Sequence, residues 1–228
     1  MPANKYYLKS GEQVVGTSKI ANMLDKGDGI TNWAHKIAYD STIELTHELW
    51  VRYGGSEKLY IPKYEDIKKW QGVRDSAGDI GTLVHDLVLD FLSGEVVELK
   101  DKDDIVKNCF RKFCDWWVEE TKGCTLELIT EQPLVSEKLR FGGQPDIYVV
   151  NKRKLIDIKT SGGIYDSYWT QLAGYDILLR ENGYKVDEYQ ILWLPKDGRF
   201  GCPIRKNLTK EKKIFKCLLE IHKLRREE

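Results

Sequence analysis

The sequence predicts an α/β protein with a helical N-terminal region. Three observations point there. Apolar residues fill two short runs, Ile147–Val150 and Leu155–Ile158, on either side of a polar turn, which reads as a β-hairpin. Stretches with apolar residues at helical spacing lie before and after it, at Asp101–Glu120 and Thr209–Arg225. The segment from Thr17 to Arg74 is rich in helix signals and aromatics, and it is longer than a small sheet needs.

Taken in order, residues 1–16 read as extended, with a short strand near Gln13–Val15. Thr17 or Ser18 caps a helix reaching Asp25, which Gly27 and Gly29 break. A second helix runs from Thr31 to about Arg52, Gly54–Gly55 turns the chain, and Pro62 opens a third helix to about Val73. Trp33, Trp50, Tyr53 and Trp70 serve either as core or as a platform on which unpaired bases stack. Asp79 or Thr82 caps a helix through Leu92, with Leu83, Val84, Leu87, Val88 and Phe91 as its apolar stripe and His85 at the edge. His35, His47 and His222 read as surface or packing residues. The helix at Asp101–Glu120 carries Phe110, Phe113, Trp116 and Trp117. Thr125–Pro133 and Val135–Phe141 read as strands, and Glu131 is either an acid near a cleft or an exposed strand residue. After the first hairpin comes a helix with Gln171 and Tyr175 on one face. Glu188–Pro195 and Phe200–Arg205 form a second hairpin across Asp197–Gly198, and a basic helix ends the chain.

The charged residues of the first hairpin carry the chemistry. Asp146 follows a proline, and Asp157 and Lys159 come eleven and thirteen positions later. Side chains alternate along a strand, so Asp157 and Lys159 share one face while Ile156 and Ile158 share the other. The apolar pair can then face a core and the charged pair a cleft. Two carboxylates on adjacent strands supply the hard oxygen ligands that Mg²⁺ prefers. A lysine beside them can orient a water or stabilise developing negative charge. To act as a base, its pKa would have to fall well below the ordinary lysine value. A single D-x-K match is most simply a surface ion pair. Here three pieces stand in register, with Gly142–Gly143 before them and Thr160–Gly163 after.

Pro145–Asp146, then Asp157-x-Lys159, then Gln171-x-x-x-Tyr175 resembles the core of the PD-(D/E)XK nucleases. Gly81-x-x-Val84-His85 ahead of that core is similar to the histidine motif of the RecB-type branch, which includes phage exonucleases and the mitochondrial genome maintenance exonuclease. The resemblance covers residues 79–175. Gly16-Thr17-Ser18 and Trp33-Ala34 are also similar to openings of phage-encoded members. The resemblance implies a restriction-endonuclease-like core with a mixed central β-sheet flanked by helices, spanning 79–228. Residues 1–78 are then a helical region covering the cleft, the whole forming one globular domain. It implies metal ligands at His85, Asp146, Asp157 and the Ile158 carbonyl, for one or two Mg²⁺ or Mn²⁺ ions. It implies catalytic roles for Asp146, Asp157 and Lys159, and substrate contacts from Gln171, Tyr175, Thr160 and Ser161.

The implied activity is a metal-dependent DNA exonuclease that leaves 5′-phosphates. Its setting would be phage or mobile-element recombination, replication or repair, beside the proteins of those processes. Its substrate would be DNA with a free end, single strands preferred. A structure- or sequence-specific endonuclease of the same fold is one alternative, and a non-catalytic DNA-binding module is another. In one departure, Asp157 stands where many members have Glu. In a second, some relatives hold an iron–sulfur cluster with four cysteines; here none precedes His85 and only Cys202 and Cys217 follow the core, so no cluster is expected.

Composition bounds the rest. With 228 residues, 41% hydrophobic and 32% charged, one globular domain is expected. The 36 basic and 36 acidic residues balance to zero, which argues against tight, unselective coating of DNA. Acids dominate from Asp79 to Asp104 and bases from Arg205 to Arg226, leaving a local basic face open. The five cysteines make no C-x-x-C pair, and MPANKYYLKS has no apolar h-region. Reduced thiols in a cytoplasmic setting, a bacterial host cell if phage-encoded, and no membrane contact are the expectation.

Overall fold

The computed structural model describes residues 4–24, 28–52 and 69–225. They fall into two units, residues 26–80 and residues 1–25 with 81–228. The first 25 residues therefore group with the later chain, whereas the sequence reading set the boundary at residue 78. The cause is pairing: the N-terminal strands join a sheet with strands more than a hundred residues later.

The smaller unit holds helix α2 (Asp28–Arg52) and the start of helix α3 (Lys69–Leu92). Gly29 lies inside α2 and does not break a helix. Pro62 lies outside the described residues, as do the side chains of Trp33, Trp50, Tyr53 and Trp70. The expected helix start at Asp79 or Thr82 is absent, because α3 runs through both. A helical interior tolerates Gly78 and Gly81 at about 1 kcal/mol each relative to alanine. Gly81 packs closely on the loop after β7: a Cβ there would stand 3.0 Å from Thr160 Oγ1.

In the larger unit, strand β1 (Tyr6–Tyr7) pairs antiparallel with β2 (Gln13–Gly16). Helix α1 (Thr17–Ala21) follows directly and stops short of the expected Asp25. Helix α4 (Asp104–Thr121) buries Val106, Cys109, Phe110, Phe113 and Trp116, while Trp117, the fourth expected aromatic, is half-buried. The strands after it are shorter than expected: β3 (Leu128–Thr130), β4 (Leu134–Ser136) and β5 (Phe141–Gly143). The hairpin is β6 (Ile147–Val149) and β7 (Lys154–Lys159). Helix α5 (Asp166–Glu181), strands β8 (Glu188–Trp193) and β9 (Ile204–Arg205), and helix α6 (Thr209–Leu224) complete the chain.

The strands form two mixed sheets, ordered β1-β2-β5-β4 and β3-β6-β7-β8-β9. β2 runs parallel to β5, with Val15 opposite Phe141 and Gly16 opposite Gly142. β7 runs parallel to β8, and α5 is the crossover between them, as a parallel pair requires. Side chains from β4, β5, β7 and β8 join α5 in one hydrophobic core, which Phe215 and Leu219 of α6 extend. Phe141 and Phe215 meet at 4.9 Å between ring centroids, a pairing that adds about 0.5–1.5 kcal/mol to the burial itself. α6 is also tied to α5 through the fully buried Asp176. That carboxylate is ion-paired with Lys212 and accepts from Arg180 Nε at 2.8 Å and Tyr189 Oη at 3.1 Å. Gly142 and Gly143 let α1 and β1 approach. A Cβ on Gly143 would stand 2.4 Å from Thr17 Oγ1 and 2.9 Å from Tyr175 Cε1.

Candidate active site

The β6–β7 register pairs Ile147 with Ile156 and Val149 with Lys154. One step further along the same register, Asp146 stands opposite Asp157. Asp146 Oδ2 accepts the backbone N–H of Ile158 at 2.7 Å, which ties the first acid to the strand bearing the second. His85 comes in from α3. Its Nε2 lies 3.0 Å from the Ile158 carbonyl and its Nδ1 3.8 Å from Asp146 Oδ2. Asp146 and His85 thus both meet the backbone of Ile158, which Asp157 and Lys159 flank in sequence.

Asp157 is deeper than alternation alone predicts, with no exposed surface. Lys159 Nζ is 2.6 Å from Asp157 Oδ2, a close ion pair. Asp157 Oδ1 is buried with no hydrogen-bond partner. Burial raises the Asp157 carboxyl to about 6, with Asp146 adding to the effect and Lys159 opposing it. Burial pulls the Lys159 ammonium down, but Asp157 and then Asp146 outweigh it and hold the group above its ordinary value. That departs from the lowered pKa a general base needs. Lys159 stands as a fixed positive charge, with Nζ 5.1 Å from the centre of the Tyr168 ring.

On α5, Gln171 Nε2 donates to Tyr175 Oη at 2.8 Å, and also to Ser18 Oγ at 3.2 Å. Ser18 and Tyr175 hydroxyls are 3.4 Å apart. Burial, then the Asp146 and Asp157 carboxylates, push the Tyr175 phenol well up, so it remains a neutral donor. The i, i+4 pair is therefore a triad completed from α1. Sequence reading placed Ser18 as a helix cap and within the Gly16-Thr17-Ser18 opening, and gave it no role in the site. Its one signal was its place beside Gly16–Thr17.

The loop after Lys159 is bound internally. Ser161 Oγ donates to the Gly163 carbonyl at 2.7 Å, and Trp193 Nε1 donates to the Ser161 carbonyl at 2.7 Å. Arg199 Nη2 donates to the Gly162 carbonyl at 3.1 Å while its guanidinium lies 4.8 Å from the Trp193 ring centre. Thr160 sits against Gly81. Trp193 and Arg199 were not among the expected site residues. Glu131 sits just past β3 at φ 46°, not within a strand. It is exposed, yet burial and then Asp146 push its carboxyl up while His85 opposes, which places it electrostatically with the acids.

Among the described residues, no three His, Cys, Asp or Glu side chains stand close enough to hold a cation as they are. The donor set nonetheless fits Mg²⁺ or Mn²⁺. It offers two carboxylates, a backbone carbonyl and one imidazole, and one oxygen of the innermost acid has no hydrogen-bond partner. The His85 imidazole and the Ile158 carbonyl, both implied ligands, here contact each other.

No protein-family model matches the chain, and no curated protein does. Among solved structures, it is similar to a candidate exonuclease from Eubacterium rectale, at 16% identity and TM-score 0.47, over 64% of this chain and 65% of that one. It is similar to an alkaline exonuclease from Laribacter hongkongensis, at 15% identity and TM-score 0.41, over 94% and 92% of the two chains. A phage-related exonuclease from Haemophilus somnus aligns at 15% identity and TM-score 0.33, over 64% and 82%. This chain thus spans about two thirds of the length of the Eubacterium rectale protein. Among the described residues, no helix is long and apolar enough to cross a membrane.

Proposed function

We propose that this chain is a divalent-metal-dependent nuclease that hydrolyses DNA, acting from a strand end and leaving 5′-phosphates. The observation that carries the reading is the convergence of Asp146, Asp157, Lys159 and His85 about Ile158, with one buried oxygen of Asp157 left without a hydrogen bond. His85, Asp146, Asp157 and the Ile158 carbonyl would hold Mg²⁺ or Mn²⁺. Such an ion, when bound, supplies a lowered pKa for a water and Lewis-acid polarisation of a phosphoryl oxygen.

The chain's own residues do the rest. Asp146 fixes the β7 backbone through the Ile158 N–H, so the carbonyl of that residue keeps one direction. Lys159, half-buried and cationic, is preorganised to stabilise negative charge that grows on a phosphate oxygen, its ammonium held by the Asp157 carboxylate. Tyr175, oriented by Gln171, would offer a neutral hydroxyl to a phosphate beside the acids, and Gln171 could turn an N–H to it by releasing Ser18. Thr160 and Ser161 belong to the loop that follows Lys159, and we assign that loop to the substrate's path. The aromatic stretch from Thr17 to Arg74 supports admission of a single strand by its end, since base stacking tolerates any sequence. A phage or mobile-element setting is proposed on the resemblance of the motifs.

The test uses end-labelled linear single- and double-stranded DNA with Mg²⁺, beside a covalently closed single-stranded circle. Linear strands should be shortened and the circle spared. A circle cut as fast as the linear form would move the endonuclease reading ahead. No cleavage of any substrate with Mg²⁺ or Mn²⁺ would leave the binding-module reading.

A further inference from the structure

Beside the Gln171–Tyr175–Ser18 triad lies a cleft of about 540 Å³ that the chemistry above does not use. Its walls include Asn4, Lys5, Gln13, Ser18 and Lys19, and its lining contains no acidic side chain. Lys5 and Lys19 are both exposed, and neither has an ion-pair partner among the described residues. Two hydrogen-bonded links connect this cleft to residues of the candidate site. Ser18 lines it and also accepts from Gln171. Asn4 Nδ2 donates to Gln144 Oε1 at 2.9 Å, two residues before Asp146. Its floor is Tyr6, whose Cβ lies so close to Gly142 that a side chain there would collide at 2.3 Å, so β1 is seated firmly. Glu131 acts on Tyr6 through space but does not line the cleft.

We propose that this cleft is a strand-binding subsite: it takes the phosphates of a single-stranded nucleic acid next to the bond being cut, with Lys5 and Lys19 as their counter-charges. The inference rests on the nuclease reading and names where the rest of that strand lies. The volume is of the size that holds a small-molecule ligand, which corresponds to a short stretch of one strand and not a duplex. Unpaired lysines, an amide and a hydroxyl suit a polyanion, whereas an acidic or neutral partner would gain little here. The chain is neutral overall, so local cationic walls matter more than general attraction.

The test is the salt dependence of binding. A fluorescein-labelled oligo-dT is titrated with wild type, Lys5→Glu/Lys19→Glu and a charge-matched control, Lys100→Glu/Lys122→Glu, with Ca²⁺ in place of Mg²⁺. For single strands the slope of log K against log salt falls by about 0.7 for each phosphate that the protein ceases to neutralise. Lys5→Glu/Lys19→Glu should flatten the slope by about 1.4 and raise Kd by about tenfold at low salt, while the control keeps the wild-type slope. Lys5→Gln/Lys19→Gln, which adds no negative charge, should flatten the slope in the same direction and serves if the reversal does not fold. Equal slopes for the cleft and control variants would overturn the subsite while leaving the nuclease reading intact. A wild type that neither binds the oligonucleotide nor cleaves DNA would overturn both.

Discussion

Asp146 Oδ2 takes the backbone N–H of Ile158 at 2.7 Å across the β6–β7 hairpin. One carboxylate of the proposed site therefore also fixes the strand that carries Asp157 and Lys159. His85 reaches the carbonyl of the same residue at 3.0 Å. On the proposed reading, function and local backbone order are coupled at this point, so structural and catalytic effects of substitutions are expected to be separable.

Lys159→Ala should lower the cleavage rate by orders of magnitude and leave Mn²⁺ binding by calorimetry in place. It strips the partner from a fully buried carboxylate, which costs about 3–5 kcal/mol when nothing replaces the charge. The metal-free variant should therefore melt well below wild type, and Mn²⁺ should raise its Tm by more than it raises the wild-type Tm. Loss of Mn²⁺ binding in this variant would give the lysine a structural role in the site instead.

His85→Ala should shift the Mn²⁺ activation curve to higher concentration, with activity partly regained at high Mn²⁺. The imidazole is about a quarter exposed, with 28% side-chain accessibility, and its loss should change stability little. An activation curve that overlays the wild type would return His85 to a packing role.

The pH dependence of stability has one well-placed contributor away from the site. Lys152 and Lys154 both donate to Glu120 Oε1, at 3.0 and 2.8 Å. Burial pushes this carboxyl up, and the two lysines outweigh it, so it titrates below its ordinary 4.5. A carboxyl with a depressed folded pKa contributes stability that is present above the unfolded value and lost as pH falls through the folded one. Glu120→Gln should cost roughly 1–3 kcal/mol at pH 7, with the gap in Tm closing as pH drops below 4.5. A gap that stays constant down to pH 3 would contradict this.

Local signals in the sequence were enough to locate the hairpin, α4, α5 and α6. Asp157 and Lys159 lie on β7 and Asp146 directly precedes β6, the two strands being joined by four residues, so alternation and turn length place them. Gln171 and Tyr175 are one helical turn apart, which places them too. What was not legible depends on distant partners. Ser18 meets Gln171 across 153 positions, and no spacing rule links them. α3 passes through Gly78 and Gly81, where local propensity ends a helix, at about 1 kcal/mol per glycine. The complete burial of Asp157 arises from β8 and α5 closing over β7, which one strand's pattern does not encode. Trp193 and Arg199 reach the loop after Lys159 only because β8 runs parallel to β7 and sets Trp193 opposite Lys159.

The central claim is that Asp146 and Asp157 form a catalytic metal site rather than a buried structural pair. The most direct measurement is Mg²⁺- and Mn²⁺-dependent cleavage of end-labelled linear DNA by purified Asp146→Ala and Asp157→Ala, beside oligonucleotide binding by the same samples. Both variants should lose cleavage and keep the fold and DNA binding. Full cleavage by either one would contradict the account.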